Sequence, residues 1–281
     1  MLKFSYNTNG LRNMNLLKAL NEIEKHGYDG AEISLHKMHM HPFNITDTEL
    51  KKLKEELRSL SIAAANIATG CSDLLSDVPY EPSFISKDKD GRKKRLDLTV
   101  RTMEIAKYLN IPIVTFATGF KTEDVSDEEA YTYLKEGIAY CLKNQPDVIL
   151  AIEPEPGMFI QKSTEAIKLI NDIKDDRLTL NLDIGHVYCC EDDAMKAIEK
   201  SIPYSRHIHI EDIKNRIHYH EIPGTGDIDF NTIIKMLKEL NYQHYVSVEL
   251  YHHADVYEKA LSQSLQHLRK VEQEVSDQSN T

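Results

Sequence analysis

The chain reads as an α/β protein folded into a single (β/α)₈ TIM barrel, and three observations carry that reading. Eight short apolar, β-type runs alternate with eight helical patterns along 281 residues, the order that produces a parallel sheet. No linker or low-complexity segment divides the chain, so all eight units belong to one domain, expected over residues 1–275. No G-x-G-x-x-G follows the first run, as a doubly wound dinucleotide-binding sheet would require.

The elements follow in order. A strand is expected over 2–9 (LKFSYNTN), then a helix over 15–27 that stops at Gly27. A second strand over 29–35 leads to a helix over 47–60, with Thr46 or Asp47 at its start. Strand three covers 62–70. A long irregular stretch, 71–94, precedes the helix over 93–110 and reads as a lid or substrate wall. Strand four spans 112–119. Its helix, 127–144, carries acidic residues in the first turn, where the helix dipole favours them. Strands five to eight are expected over 148–157, 178–185, 205–212 and 244–251, with helices over 163–175, 192–202, 230–241 and 255–275. The tail 276–281 is polar and expected to be disordered.

Composition narrows the function. The formal net charge of −11 disfavours nucleic acid and anionic membranes as partners. No apolar run reaches the roughly 18 residues of a membrane span, and the start MLKFSYNTNG lacks the pattern of a signal peptide. Cys71, Cys141, Cys189 and Cys190 form no CxxC, which suits reduced thiols in a cytoplasmic protein.

In such a barrel the chemistry sits where the strands end. Strand five ends in Glu153 and Glu155. Strand six ends in Asp183, with His186 beyond it. Strand seven carries His207 and His209, then Glu211 and Asp212, and strand eight ends in Glu249. Glu153, Asp183, His209 and Glu249 each follow an apolar run. Three carboxylates and an imidazole in a barrel wall are costly without a shared cation, and a mostly oxygen donor set favours Mn²⁺, Co²⁺ or Mg²⁺. The loop after strand seven adds His218 and His220 and closes with PGTGD, where glycine permits a tight turn and Asp229 is placed to cap the next helix. His36, His39 and His41 follow strand two on the same face, and one of them is a candidate to reach a substrate.

IEPEPG, LDIGH, HIHIED and HEIPGTGDIDF, in this order and spacing, resemble the xylose isomerase-like TIM barrels, from GYDGAEIS to YVSVELY. That superfamily includes sugar and sugar-phosphate isomerases and epimerases, inosose and dehydroshikimate dehydratases, and endonuclease IV. The resemblance implies a metal held by Glu153, Asp183, His209 and Glu249, with both glutamates moving a proton through an enediolate. It further implies substrate binding by His186 and Arg216. Where the epimerases have another substrate-binding Glu, this chain has Phe159, and Glu155 is the nearest acid. By similarity to endonuclease IV, His186, His218 and His220 form a candidate second site, suited to Zn²⁺ or Fe²⁺ or else to substrate oxygens. The histidines that endonuclease IV carries on strands three and four are absent from NIATG and FATGF. The expected activity is therefore that of a metal-dependent isomerase or epimerase on a sugar, sugar phosphate or polyol ketone. A dehydratase-type lyase is the alternative, followed by a phosphodiesterase. A homo-oligomer stays open.

Overall fold

Parallel strands are stable only when both faces are covered, and closing the sheet into a barrel ringed by helices achieves this without leaving an edge. The computed structural model describes residues 1–70 and 74–279. Its strands are β1 (Lys3–Asn7), β2 (Gly30–Ser34), β3 (Ala63–Ala68), β4 (Ile113–Ala117), β5 (Ile149–Glu153), β6 (Leu178–Asp183), β7 (Ser205–Ile210) and β10 (Tyr245–Val248). They close in the order β1-β10-β7-β6-β5-β4-β3-β2, each parallel to its neighbours. Between β7 and β10 a small antiparallel hairpin, β8 (Asp212–Lys214) with β9 (Ile217–Glu221), rises as a separate sheet.

The helices α1 (Leu16–Lys25), α2 (Asp47–Ser59), α3 (Lys89–Leu109), α4 (Asp127–Asn144), α5 (Ser163–Ile173), α6 (Ile184–Cys190), α7 (Ala194–Ser201), α8 (Phe230–Glu239) and α9 (Tyr257–Ser279) follow the strands. Their starts are chemically marked. Thr46 and Ser126 form reciprocal capping boxes with Glu49 and Glu129, and Asp229 caps α8 by accepting from Thr232 N–H. The core includes Leu150, Ile152, Leu180, Leu182, Ile208, Ile210, Val246 and Val248, all fully buried.

Four differences from the sequence reading bear on the site and the ends of the chain. Strand six stops at Asp183 rather than at residue 185, because the Asp183 carboxylate accepts from His186 N–H at 2.7 Å and caps α6. Helix α3 begins at Lys89, where Asp88 accepts from Gly91 N–H at 2.8 Å. Strand seven gives way to the hairpin, which a periodicity argument did not foresee. The tail expected to be disordered from 276 is helical through Ser279: Val271 and Val275 are buried, Ser276 Oγ donates to Glu272 O, and Lys238 of α8 reaches Ser276. Residues 71–73 and 280–281 lie outside the described residues, so the first part of the expected lid and the last part of the tail do too. Among the described residues, no helix is long and apolar enough to cross a membrane.

Candidate metal centre and active site

The C-terminal ends of β5, β6, β7 and β10 deliver Glu153, Asp183, His209 and Glu249 to one point. One ligand atom from each lies within 4.8 Å of all the others. His209 Nδ1 is the hub, 2.8 Å from Glu153 Oε1, 3.5 Å from Glu249 Oε2 and 3.6 Å from Asp183 Oδ2. Strand register explains the convergence, since Asp183 pairs with His209 across β6 and β7 and Ser247 pairs with His209 across β10 and β7.

The hub is braced from inside the barrel. His209 Nε2 lies 3.0 and 2.9 Å from the two oxygens of Glu32, on β2. Glu32 also bonds His207 Nε2 at 2.9 Å and accepts from Asn66 Nδ2 at 3.0 Å. All four residues are completely buried. Burial alone would raise the Glu32 carboxyl, but the His209 and His207 imidazoles more than offset this and hold it far below the usual carboxylate range. Such a carboxylate–histidine pair fixes the ring so that the opposite nitrogen faces the ligand position. His207 is therefore a wall residue that supports the centre from behind. Sequence reading passed over Glu32, although a charged residue in the apolar run GAEIS was a usable signal.

A divalent cation fits these residues. Asp183 Oδ2 is buried and no donor reaches it. Three carboxylates crowd one ring nitrogen, an arrangement that repels itself unless positive charge is supplied. Burial and then the neighbouring charges show the strain: the Glu249 carboxyl is pushed up to about 8, by burial first and then by Glu153, Asp183 and Glu32, against the pull of His209. His209, despite burial, is held well above its ordinary range by Glu32, Glu249 and Glu153. In Asp183 the balance falls the other way: His186, His209 and His220 outweigh burial and keep it ionised. Behind Asp183 lies Glu211, wholly buried, with no donor to either oxygen. Burial and then the Asp183 charge push its carboxyl well above the usual carboxylate range. Gly185 makes room for it, since a Cβ there would sit 1.8 Å from Glu211 Oε1.

A second cluster stands beside the first. One ring nitrogen from each of His186, His218 and His220 lies within 4.8 Å of the others. His186 Nδ1 is bound to Pro154 O and His220 Nδ1 to Glu249 O, both at 2.9 Å, which turns each Nε2 inward. His218 Nε2 and His220 Nε2 are 3.2 Å apart. Burial first, then the other imidazoles, lower His218 to about 4 and His220 to about 3, so both are neutral donors. His186 is pushed up to about 9, where Asp183 and Glu155 outweigh burial. Glu155 oxygens lie 3.9 Å from His186 Nε2 and from His218 Nε2. Its carboxyl rises to about 7, chiefly by burial.

Both clusters open into a cavity of about 470 Å³, lined by Glu153, Glu155, His186, His218, His220 and Glu249. Asn9, Arg12, His36, Tyr80, Phe120 and Tyr251 complete much of its wall. Tyr80, from the long loop after β3, meets Phe120 edge to face at 5.7 Å, so that loop does furnish a wall. Of the three histidines after β2, His36 lines this cavity, while His39 and His41 line a separate one. Arg216 is a correction. Its guanidinium donates to the carbonyl oxygens of Cys189 and Glu191 and lies outside the cavity lining. Asn215 and Arg216 both take positive φ in the hairpin turn, which swings the side chain outward. The guanidinium that lines the cavity belongs to Arg12.

A closed parallel barrel with an acidic, imidazole-bearing centre at its strand ends defines a class of enzyme-like (β/α)₈ proteins. Residues 20–271 match the model of the xylose isomerase-like TIM barrel family, and the chain belongs to that family. Among curated relatives, an inosose dehydratase of Clostridium perfringens is 27% identical over 259 residues, covering 83% of this chain and 81% of the relative. An inosose dehydratase of Bacillus anthracis is 24% identical over 258 residues, covering 83% and 80%. Among solved structures, L-ribulose 3-epimerase superposes with a TM-score of 0.81 at 16% identity, over 100% of this chain and 97% of that one. The IolI protein with a bound zinc atom gives 0.79 at 21% identity, over 98% and 99%.

Proposed function

We propose that this protein is a divalent-metal-dependent enzyme of the isomerase and epimerase type, acting on a sugar, sugar phosphate or related polyol ketone. The observation that carries the reading is the convergence of three carboxylates on His209 Nδ1 at the floor of a cavity large enough for such a substrate. Glu153, Asp183, His209 and Glu249 hold the cation, with Mn²⁺, Co²⁺ or Mg²⁺ preferred by the oxygen-rich set. When bound, the cation supplies Lewis-acid stabilisation of negative charge developing on substrate oxygens.

The chain's own residues do the rest. Glu153 and Glu249 flank the floor, where a carboxylate can take a proton from the carbon beside a ketone. The electron pair left behind makes an enediolate, which regains a proton on the same or the neighbouring carbon. His186 and Glu155, facing each other across the cavity wall, hold substrate hydroxyls. The neutral pair His218 and His220, with His186, offers a second position to Zn²⁺ or Fe²⁺, or else binds substrate oxygens.

A second reading, dehydration, is favoured by the inosose dehydratases among the relatives. The same enediolate would then expel a neighbouring hydroxyl group, which leaves as water by taking up the proton held by the carboxylate. One experiment tests both. Metal-stripped protein, resupplied with Mn²⁺, is offered a panel of ketoses, their phosphates and inososes. Isomers or epimers detected by NMR support the first reading. Growth of an enone absorbance supports the second. No conversion of any member overturns the proposal.

A further inference from the structure

The two glutamates of the centre are held very differently. Strand β1 runs parallel to β10 with Tyr6 beside Val248, so the next residues, Asn7 and Glu249, leave the barrel side by side. Asn7 Nδ2 donates to Glu249 Oε1 at 3.0 Å, and Asn9 Nδ2 donates to the same oxygen at 2.8 Å. The Asn7 amide is orientated without ambiguity, because its Oδ1 accepts from Asn9 N–H at 3.0 Å. Gly10 brings the turn Thr8–Leu11 hard against the end of β10: a Cβ there would sit 2.8 Å from Tyr6 Oη and 3.1 Å from Leu250 O. Glu249 Oε2 is left facing His209. Glu153, by contrast, touches His209 Nδ1 through Oε1, and among the described residues no amide or hydroxyl donor reaches it.

We propose that Asn7 and Asn9 are positioning residues that assign the two glutamates different tasks, with Glu249 a fixed, one-oxygen anchor for the cation and Glu153 the base. This rests on the function proposed above. An oxygen that already accepts two N–H bonds has its lone pairs engaged and is a poor proton acceptor. With Oε1 tied and Oε2 turned to the cation position, Glu249 has no oxygen to present to a carbon. Glu153 has one. The C–H bond beside the ketone breaks, its proton passes to Glu153, and its electron pair remains on the substrate as the enediolate. A single base works on one face of the carbon. The return of that proton to the neighbouring carbon isomerises, and its transfer from Glu153 to a departing hydroxyl group, which leaves as water, dehydrates. Inversion at the first carbon would need a second acid–base group besides Glu153.

The test begins without substrate. Metal-free protein is titrated with Mn²⁺ in competition with a fluorescent chelator. Asn9→Leu, which keeps the branched outline and removes the donor, should weaken Mn²⁺ binding about 10-fold with its melting temperature unchanged, the scale seen when partners of metal ligands are lost. Glu249→Gln should bind Mn²⁺ at least about 10-fold more weakly than Glu153→Gln. At saturating Mn²⁺, with a ketone that wild type converts, deuterium wash-in from D₂O should fall more than about 100-fold in Glu153→Gln and less than about 10-fold in Glu249→Gln. Wild-type affinity in Asn9→Leu, equal affinities in the two glutamine variants, or equal loss of wash-in would each overturn the assignment. If the affinities differ as stated but no ketone is converted by wild type, the proposed function fails and takes Glu153 as base with it, while the anchoring of Glu249 stands.

Discussion

The four-residue centre and the three-imidazole cluster share a cavity, yet they are built on opposite plans. The first sits on barrel strands, carries three carboxylates, and is braced by Glu32, Asn7 and Asn9. The second sits on the first turn of α6 and on β9 of the hairpin. Two of its rings are tied through Nδ1 to backbone carbonyls, and His218 is 28% exposed. Concentrated negative charge in a barrel wall is costly without a cation, whereas the neutral His218 and His220 can remain unligated at little cost. The difference teaches that the strand-borne centre concentrates charge that a cation would offset, whereas the hairpin-borne cluster has no such requirement.

The largest effect expected is from Asp183→Asn. It removes a carboxylate from the strand-borne centre while leaving an amide oxygen to cap α6, so the fold should persist. Mn²⁺ affinity should drop by more than about 100-fold, beyond the roughly 10- to 100-fold cost of losing an outer partner. Normal metal content by elemental analysis would break the distinction at its root.

Acidity comes next. In the cation-free protein the Glu249 carboxyl is pushed up to about 8, chiefly by burial, and His209 is held well above its ordinary range by Glu32 and Glu249, so cation binding competes with protons at both groups as pH falls. The sign is therefore a loss of affinity as pH falls. Between pH 8 and pH 6 Mn²⁺ binding should weaken about 10-fold per unit for each proton displaced. Calorimetry in buffers of different ionisation heat would count those protons. A count of zero would mean the site is already deprotonated when empty.

Glu32→Gln ranks third. It keeps the shape but withdraws the charge that orients His209, and Mn²⁺ affinity should fall about 10- to 100-fold with all four ligands intact. Unchanged affinity would reduce the brace to packing.

His220→Ala probes the hairpin-borne cluster. If the trio holds a second ion, wild type carries about two ions per chain and the variant loses one. If it binds substrate oxygens, metal content is unchanged and KM rises about 10-fold at similar kcat, the signature of lost ground-state contacts. A variant with wild-type metal content and KM would remove the cluster from function altogether.

Much of this was legible in the chain. Alternation of β-type runs and helices specified the barrel, because each pattern has its own period and only one closed arrangement covers eight parallel strands. Glu153, Asp183, His209 and Glu249 were legible because each ends an apolar run, and a strand end has one address in a barrel. Arg216 was misplaced because loop residues lack such an address. Its direction is set by the positive φ of a two-residue turn, which apolar periodicity does not register.

The sequence by itself therefore determined the fold, the strand ends and the kinds of donor gathered there, since these follow from period, polarity and order along the chain. Only the tertiary structure decided how the donors are held. Glu32 meets His209 across 177 positions of sequence, and Asn7 meets Glu249 across 242. These pairs depend on strand register and barrel closure, which bring the first and last strands together, and no local pattern in either segment encodes its partner.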